Sequence, residues 1–332
     1  MDLLNSSSLN GTLTTTAIQL CINDFYTFDV ILLSVLSITI ITSVVANGLI
    51  IVVFYKCKDL RSPVFYFVLN MSISDIFLPL LRLVYIILFR SSMFHTELSA
   101  STALALCKFS PYFEGVSIAV SMQSLVAITL HRFFAVVFPL NLRVESSKLC
   151  VIVITFVWIV ALLSQIPEIV ARDLSNVFGI CTYTLTPEPL QQYLLLRMVA
   201  FCTIPFVIMV VLYGFIIFKL RKPNLPGDVS FEQKEKRRRR NKRMTKILLT
   251  IIVSFFICWS TFDILRWAFL FYPSCSLLLA VFYAEPLPIM YSAANGLIWF
   301  IFSKTYRKAL IRVCSGFNKL SNYKCNTINR NK

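Results

Sequence analysis

Ionisable side chains are scarce in the apolar stretches of this chain, and those present carry both signs: Arg82, Glu114, Arg197, Asp263, Arg266 and Glu285, with Tyr85 and Trp259 near them. Mixed charges of this kind suit a ligand that is itself both cationic and anionic, held by charge-assisted hydrogen bonds. Internal pairing, Glu114 with Arg82 or Asp263 with Arg266, would satisfy the same charges without a ligand. Asp75 is a carboxylate in the middle of an apolar run, where an ionisable group is costly enough to mark a functional position. Bond-making chemistry is not indicated. His95 and His131 are the only histidines, and no metal-ligand cluster, phosphate loop or catalytic constellation can be assembled around them. An enzyme is not expected.

What must position these residues is a bilayer. The 332 residues are 57% hydrophobic and 14% charged, with a mean hydropathy of +0.75, whereas soluble domains carry about a quarter charged residues. That excludes a soluble enzyme or a disordered regulator. The net charge of +16 does not argue for nucleic acid, because it sits beside apolar runs long enough to cross a membrane. Seven runs read as spans, at about 30–55, 64–89, 102–137, 149–171, 193–220, 247–272 and 277–302. Beyond them Phe302, Tyr306, Ala309, Leu310 and Val313 recur at helical spacing opposite Lys304, Arg307, Lys308 and Arg312, the pattern of an interfacial helix. The expected fold is an all-α membrane protein: a tail at 1–29, a seven-transmembrane helix bundle at 30–302, a short amphipathic helix at 303–314 and a second tail at 315–332.

Direction follows from Lys and Arg. Most of the 32 lie in segments that would share one side, together with only Asp59, Glu145, Asp228, Glu232 and Glu235 of the 16 acids, and the first basic residue is Lys56. The rule that basic loops stay inside puts the N-terminus outside and the C-terminus in the cytoplasm of a plasma-membrane, multi-pass protein. No basic segment precedes an apolar core within 1–29, so the first span is expected to act as the targeting anchor. Asn5 and Asn10 open glycosylation sequons on the expected outer side, while the matching triplet at Asn70 lies within a span. The Arg237–Arg240 run reads as an inner loop drawn to anionic membrane lipids.

The motifs narrow the class. Ala46-Asn47-Gly48, Asn70 with Ser74-Asp75, Cys107, His131-Arg132-Phe133, Trp158, Pro205, Tyr213, Phe255 with Cys258-Trp259, and Asn295 occur in an order and spacing that resembles the rhodopsin-like (class A) G-protein-coupled receptors over about residues 30–314. The resemblance implies a disulfide between Cys107 and Cys181. Cys21 and Cys275 would be paired, as in some peptide-binding members, or remain free thiols. It further implies an ion site of Asp75, Ser121 and Asn295 that takes sodium, with a hydrogen-bonded, protonated Asp75 as the alternative; no other cofactor is implied.

The resemblance also implies a switch that activates a heterotrimeric G protein through His131, Arg132, Phe133, Tyr213, Phe255, Trp259, Asn295 and Trp299. Arg132 stands 18 residues, about five helical turns, after Glu114, so both face inward on span three. Several positions depart from the family. His131 replaces the acidic neighbour of Arg132, Asn241 stands where many relatives have Glu, Trp259-Ser260-Thr261 lacks the proline of Trp-x-Pro, and Asn295-Gly296-Leu297-Ile298-Trp299 replaces Asn-Pro-x-x-Tyr. A weakly locked resting state and unguaranteed kinks are therefore expected. Ile289 at the retinal lysine position excludes light sensing.

Cys314 is an S-acylation candidate or an unmodified thiol, and with only Ser315, Ser321 and Thr327 open to phosphorylation beyond it, arrestin recruitment would be weak. The leading expectation is a receptor for an extracellular peptide held by Arg82, Tyr85, Glu114, Arg197, Trp259, Asp263, Arg266 and Glu285. The alternatives are a decoy receptor that binds without signalling and an amine receptor using Glu114. A cation transporter is remote, because paired broken helices and a half-to-half repeat are missing.

Overall fold

Hydrocarbon offers backbone groups no partner but each other, so a spanning chain folds into helices. The computed structural model describes residues 30–57, 60, 62–93, 99–138, 147–174, 181–184, 187–221, 231–272 and 274–317. Among the described residues seven helices are long and apolar enough to cross a membrane. Span one is Val30–Lys56, span two Pro63–Met93 and span three Ala100–Val137. Span four is Ser147–Ser164 with a short continuation, Ile166–Val170. Span five is Pro187–Met198, a π-turn at Val199–Thr203, then Ile204–Arg221. Span six is Phe231–Phe271, and span seven is Cys275–Ala284 continued by Pro286–Phe302. The amphipathic helix that follows is Lys304–Phe317, running past residue 314 where its end was expected. The sequons at Asn5 and Asn10, Cys21 and His95 lie outside the described residues.

Local irregularities have chemical causes. Pro205 has no N–H to return to the preceding turn, and the π-turn of span five sits immediately before it. Pro286 and Pro288 interrupt span seven at Glu285. Span six has no proline. Where relatives carry one, Ser260 donates its hydroxyl to the carbonyl of Phe256 and Thr261 donates to that of Ile257 at 2.7 Å, a back-bonding pattern that bends helices only slightly. Span six also starts at Phe231, well before the expected Ile247. Its Lys- and Arg-rich beginning is a good helix former, and Glu235 supports it through Arg238 at 3.5 Å and Arg239 at 3.1 Å. At 41 residues the helix is about 60 Å long, twice the roughly 30 Å hydrocarbon thickness, so its basic end leaves the membrane.

Span three packs against spans two, four and five, and span seven packs against spans one and six. Between them lie the largest fully buried side chains, among them Trp259, Trp299, Tyr291, Phe255 and Phe262, while Ile31, Phe156 and Ile257 face outward. One end of the bundle is covered by a hairpin, β1 (Arg172–Leu174) paired antiparallel with β2 (Cys181–Tyr183). The Cys107–Cys181 disulfide fastens β2 to span three. Cys275 is also disulfide-bonded.

Spans one and seven approach too closely for a side chain at residue 296. A Cβ on Gly296 would lie 2.7 Å from the Cβ of Ala46 and 3.2 Å from the Asn47 nitrogen, the small-residue contact that lets membrane helices touch. Gly296→Ala is expected to destabilise the purified protein by about 1–3 kcal/mol. Adding Ala46→Gly should recover much of that loss in the same thermal-melt measurement, and additive losses would show that the two residues do not meet.

Candidate functional site

At the disulfide end the charges of six spans and the hairpin converge on a cavity of about 190 Å³. Arg82 of span two lies between two carboxylates. Its Nη2 donates to Glu114 of span three at 3.1 and 3.3 Å, and its Nη1 to Glu285 of span seven at 3.1 Å. Opposite them sits Glu168, which has no solvent exposure. It accepts from Arg172 Nε of β1 at 2.8 Å and from Arg197 Nη1 of span five at 2.5 Å. The Tyr183 hydroxyl lies 3.3 and 3.4 Å from the Glu168 oxygens, and receives Arg172 Nη2 at 2.6 Å and Arg266 Nη2 at 3.2 Å. One hydroxyl thus uses its donor and both its lone pairs. Burial works against the Arg172 cation, but Tyr183 and Glu168 more than offset it and hold its pKa above the usual guanidinium value.

Two sequence expectations are separated here. Glu114 does pair with Arg82. Asp263 does not pair with Arg266: it lies 3.8 Å from Arg197, and Arg266 turns to Tyr183 and over the Phe262 ring at 5.3 Å. Residues four and seven positions beyond Trp259 share a helical face, but the hairpin and span five supply nearer partners than they give each other. Glu168, Arg172 and Tyr183 escaped the sequence reading. The Glu168–Arg172 spacing of one helical turn at the end of span four was the available signal. The side chain of Tyr85 lies outside the described residues.

Counted as ionised, the two halves of this end are unequal. One arginine between Glu114 and Glu285 leaves a surplus negative charge, while Arg172, Arg197 and Arg266 against Glu168 and Asp263 leave a surplus positive one. Trp259, only 2% exposed, closes the bundle beneath.

The middle of the bundle carries a ladder of polar contacts. Asp75 accepts from Ser121 Oγ at 2.7 Å and from Asn295 Nδ2 at 2.6 Å. Ser292 donates to the Asp75 carbonyl at 2.7 Å and lies 2.6 Å from Ser43, while Asn47 donates to the carbonyls of Ser43 and Ser292 at 3.0 Å each. Asn70 links Ser124 at 2.9 Å to Trp158 at 2.8 Å. Asn295 Oδ1 and the Tyr291 hydroxyl are buried and have no hydrogen-bond partner.

Aromatic rings connect this layer to the far end. Phe255 lies 6.2 Å from Trp259 and meets Tyr291 edge-on at 4.8 Å. Trp299 packs between Phe65 at 6.0 Å and Tyr306 at 5.8 Å, fastening span seven to the amphipathic helix rather than reaching Tyr213. At the far end neither His131 nitrogen, nor Arg132 Nε, nor the Tyr213 hydroxyl has a hydrogen-bond partner. Phe133 rests edge-on against Phe215 at 6.1 Å. Span six is held there by a contact outside the family motifs: Arg243 Nε donates to the Phe302 carbonyl at 2.8 Å, and Arg238 Nε to that of Leu220 at 3.0 Å. Both cap free C-terminal carbonyls of neighbouring spans, the position where a cation is favoured.

Residues 46–298 match the 7 transmembrane receptor (rhodopsin family). The chain belongs to this family. It is a multi-pass membrane receptor and not an enzyme. It is 25% identical over 238 residues to a RYamide receptor of Drosophila melanogaster, covering 68% of this chain and 50% of that protein. It is 25% identical to the rhodopsin of Leucoraja erinaceus over 84% of this chain and 79% of that one. With the cholecystokinin receptor type A of Canis lupus familiaris it shares 26% identity over 67% of this chain and 65% of that one. The alignment thus spans half the length of the first relative and just under two thirds of the third.

Glu168 is the load common to Arg172 and Arg197. Glu168→Gln is expected to lower stability by about 3–5 kcal/mol, because two buried cations lose their counter-charge. Glu168→Gln with Arg197→Gln should recover part of it, read as surface expression and melting temperature. A single variant as stable as wild type would remove Glu168 from the centre of this network.

Proposed function

We propose that this receptor binds an extracellular peptide at its disulfide end and, from the plasma membrane with its N-terminus outside, activates a heterotrimeric G protein at the Arg132 end. The observation that carries the reading is the division of the pocket into a surplus negative half, at Glu114 and Glu285, and a surplus positive half, at Arg266. A ligand with a cationic side chain and an anionic or strongly accepting group complements both. The cavity of about 190 Å³ admits one or two side chains, so the rest of a peptide would lie over the hairpin. A simple amine would have to displace Arg82 from Glu114 while leaving the positive half unanswered. Relatives named for RYamide, cholecystokinin and neuropeptide CCHamide-1 support a peptide. The rhodopsin relative does not extend to light: Ile289 is buried where a retinal lysine would stand, and span seven has no Lys.

The mechanism follows from which spans carry each half. Glu114 and Glu285 belong to spans three and seven, whereas Arg266 and Asp263 belong to span six. A ligand engaging both halves shifts span six relative to spans three and seven. Trp259, Phe255 and Tyr291 carry the shift downward as a packed column, and Arg243 lets go of the Phe302 carbonyl so that span six swings out and Arg132 meets the G protein. Asp75, Ser121 and the unpartnered Asn295 Oδ1 offer oxygens of the kind a sodium ion takes, and such an ion would favour the resting arrangement.

G-protein dissociation in cells tests this, with wild type and Arg132→Ala challenged by peptides carrying both charges and by monoamines. A peptide response lost in Arg132→Ala is expected, with Arg266→Gln weakening peptide potency about 10–100-fold, the range for a hydrogen bond to a charged group. A response confined to monoamines would overturn the peptide reading. Surface protein that binds peptide in silence would establish a decoy receptor instead.

Arg243→Gln is expected to raise the ligand-free signal severalfold in the same assay. An unchanged baseline would mean that the contact with Phe302 does not restrain span six.

A further inference from the structure

Between the far ends of spans five and six lies a second cavity, about 690 Å³ and open on the outer surface of the bundle. It is separate from the pocket above and from the Arg132 face. Its wall on span six is a single stripe: Lys242, Lys246, Leu249, Val253 and Ile257 follow at steps of three and four residues, charge at the helix foot and apolar side chains above. Span five repeats the order in reverse, with Ile217 above Arg221. The polar residues within the apolar part are already satisfied, Thr250 by the Lys246 carbonyl at 2.9 Å and Ser254 by that of Ile251 at 2.8 Å. No donor is therefore left over to repel hydrocarbon. Arg221, Lys242 and Lys246 are exposed, and Glu235 at the start of the same helix is taken by Arg238 and Arg239.

We propose that this groove binds one anionic phospholipid, its headgroup phosphate held by Arg221, Lys242 and Lys246 and one acyl chain lying along Leu249, Val253 and Ile257. The charge order selects the occupant. A protein helix would need the cations to meet acids and the apolar wall to meet side chains, whereas a phospholipid has its anion and its hydrocarbon in the same sequence and at the same depth as the groove. Cations at the membrane surface attract anionic lipid by several-fold each, and phosphate oxygens accept charge-assisted hydrogen bonds from all three. On the orientation proposed above, the lipid belongs to the cytoplasmic leaflet, where anionic lipids concentrate. The binding itself does not depend on coupling to a G protein.

Native mass spectrometry of the full-length receptor, with phosphatidylinositol bisphosphate, phosphatidylserine or phosphatidylcholine added in detergent, reads the lipid retained. Anionic lipid is expected to be held at least about tenfold better than phosphatidylcholine, and Arg221→Gln with Lys242→Gln and Lys246→Gln should abolish that preference. Lys236→Gln with Arg237→Gln and Arg239→Gln removes as many charges, all from the nearby start of span six, and should leave the preference intact. Val253→Trp fills the groove without touching a charge and should lower anionic-lipid retention severalfold. Equal losses in both charge variants would reduce the effect to diffuse attraction and overturn the proposal. So would full retention in Val253→Trp, displacement of the lipid by soluble inositol trisphosphate, or a preference for phosphatidylcholine. Melting temperatures of all variants within a few degrees of wild type ensure that a loss reports binding and not unfolding.

Discussion

A polar atom placed in hydrocarbon must find its partner within the protein, because no water stands by to replace a missing bond. Much of the interior follows from that constraint. Asn47, Asn70, Ser74, Asp75, Ser121, Ser292 and Asn295 tie spans one, two, three, four and seven together through side-chain and carbonyl contacts. Spans five and six have few such ties and meet the rest through rings and aliphatic contacts. At mid-bundle depth the fastening is thus unequal: spans one to four and seven are riveted by directional bonds, while spans five and six are held there by packing and keep their directional contacts to the two ends. In the mechanism proposed above, span six would move because few mid-bundle polar contacts hold it, as much as because a ligand binds.

The same constraint shapes the disulfide end. Four arginines and four acids at the mouth of a small cavity would be ruinous if unpaired, and each is engaged by another charge or by Tyr183. The engagement is complete in contacts and incomplete in charge. Glu168 neutralises cations brought by span five and by the hairpin, so the hairpin is held in place by an ion pair as well as by the Cys107–Cys181 bridge. What stays unbalanced is divided between spans three and seven on one side and span six on the other, and a buried imbalance of that kind has a free energy that a ligand of opposite polarity can lower.

Much of this was legible in the residues. Apolar runs set the number of spans, Asp75 stood out as a carboxylate in mid-span, and the resemblance to the receptor family placed Ser121 and Asn295 beside it. Glu114 with Arg82 was legible as a pair of opposite charges. Depth and helical face say little about lateral neighbours, however. Asp263 shares a face with Arg266 yet meets Arg197, because span five approaches it from the side. Tyr183 and Arg172 lie in a connection between spans, and only a hairpin folding back over the bundle brings them to Glu168. Arg243 lies just beyond the Arg237–Arg240 run, where the sequence marks it only as a further basic residue. Its contact with Phe302 depends on span six continuing as helix through that run, which periodicity of apolar residues cannot reveal where there are none.

The departures from the family's motifs acquire a common sense in these terms. Where the family's proline would stand in span six, Ser260 and Thr261 instead return their hydroxyls to carbonyls of the preceding turn. With glycine in place of proline in span seven, Gly296 instead admits span one to close contact and anchors spans one and seven to each other. Trp299, set where relatives have a tyrosine, fills the junction with Phe65 and Tyr306 and strengthens that same anchor. The two changes in span seven transfer rigidity to spans one and seven. With no partner at Arg132 Nε and none at His131, restraint of the far end falls to the arginines of span six that cap its neighbours. Capping contacts at partly buried helix termini such as these are each worth about 0.3–2 kcal/mol, less than the roughly 3–5 kcal/mol lost when one partner of a buried ion pair is removed. In the mechanism proposed above, a resting state held by such contacts would lie close in energy to the open one, and small differences in ligand or lipid contact would then suffice to choose between them.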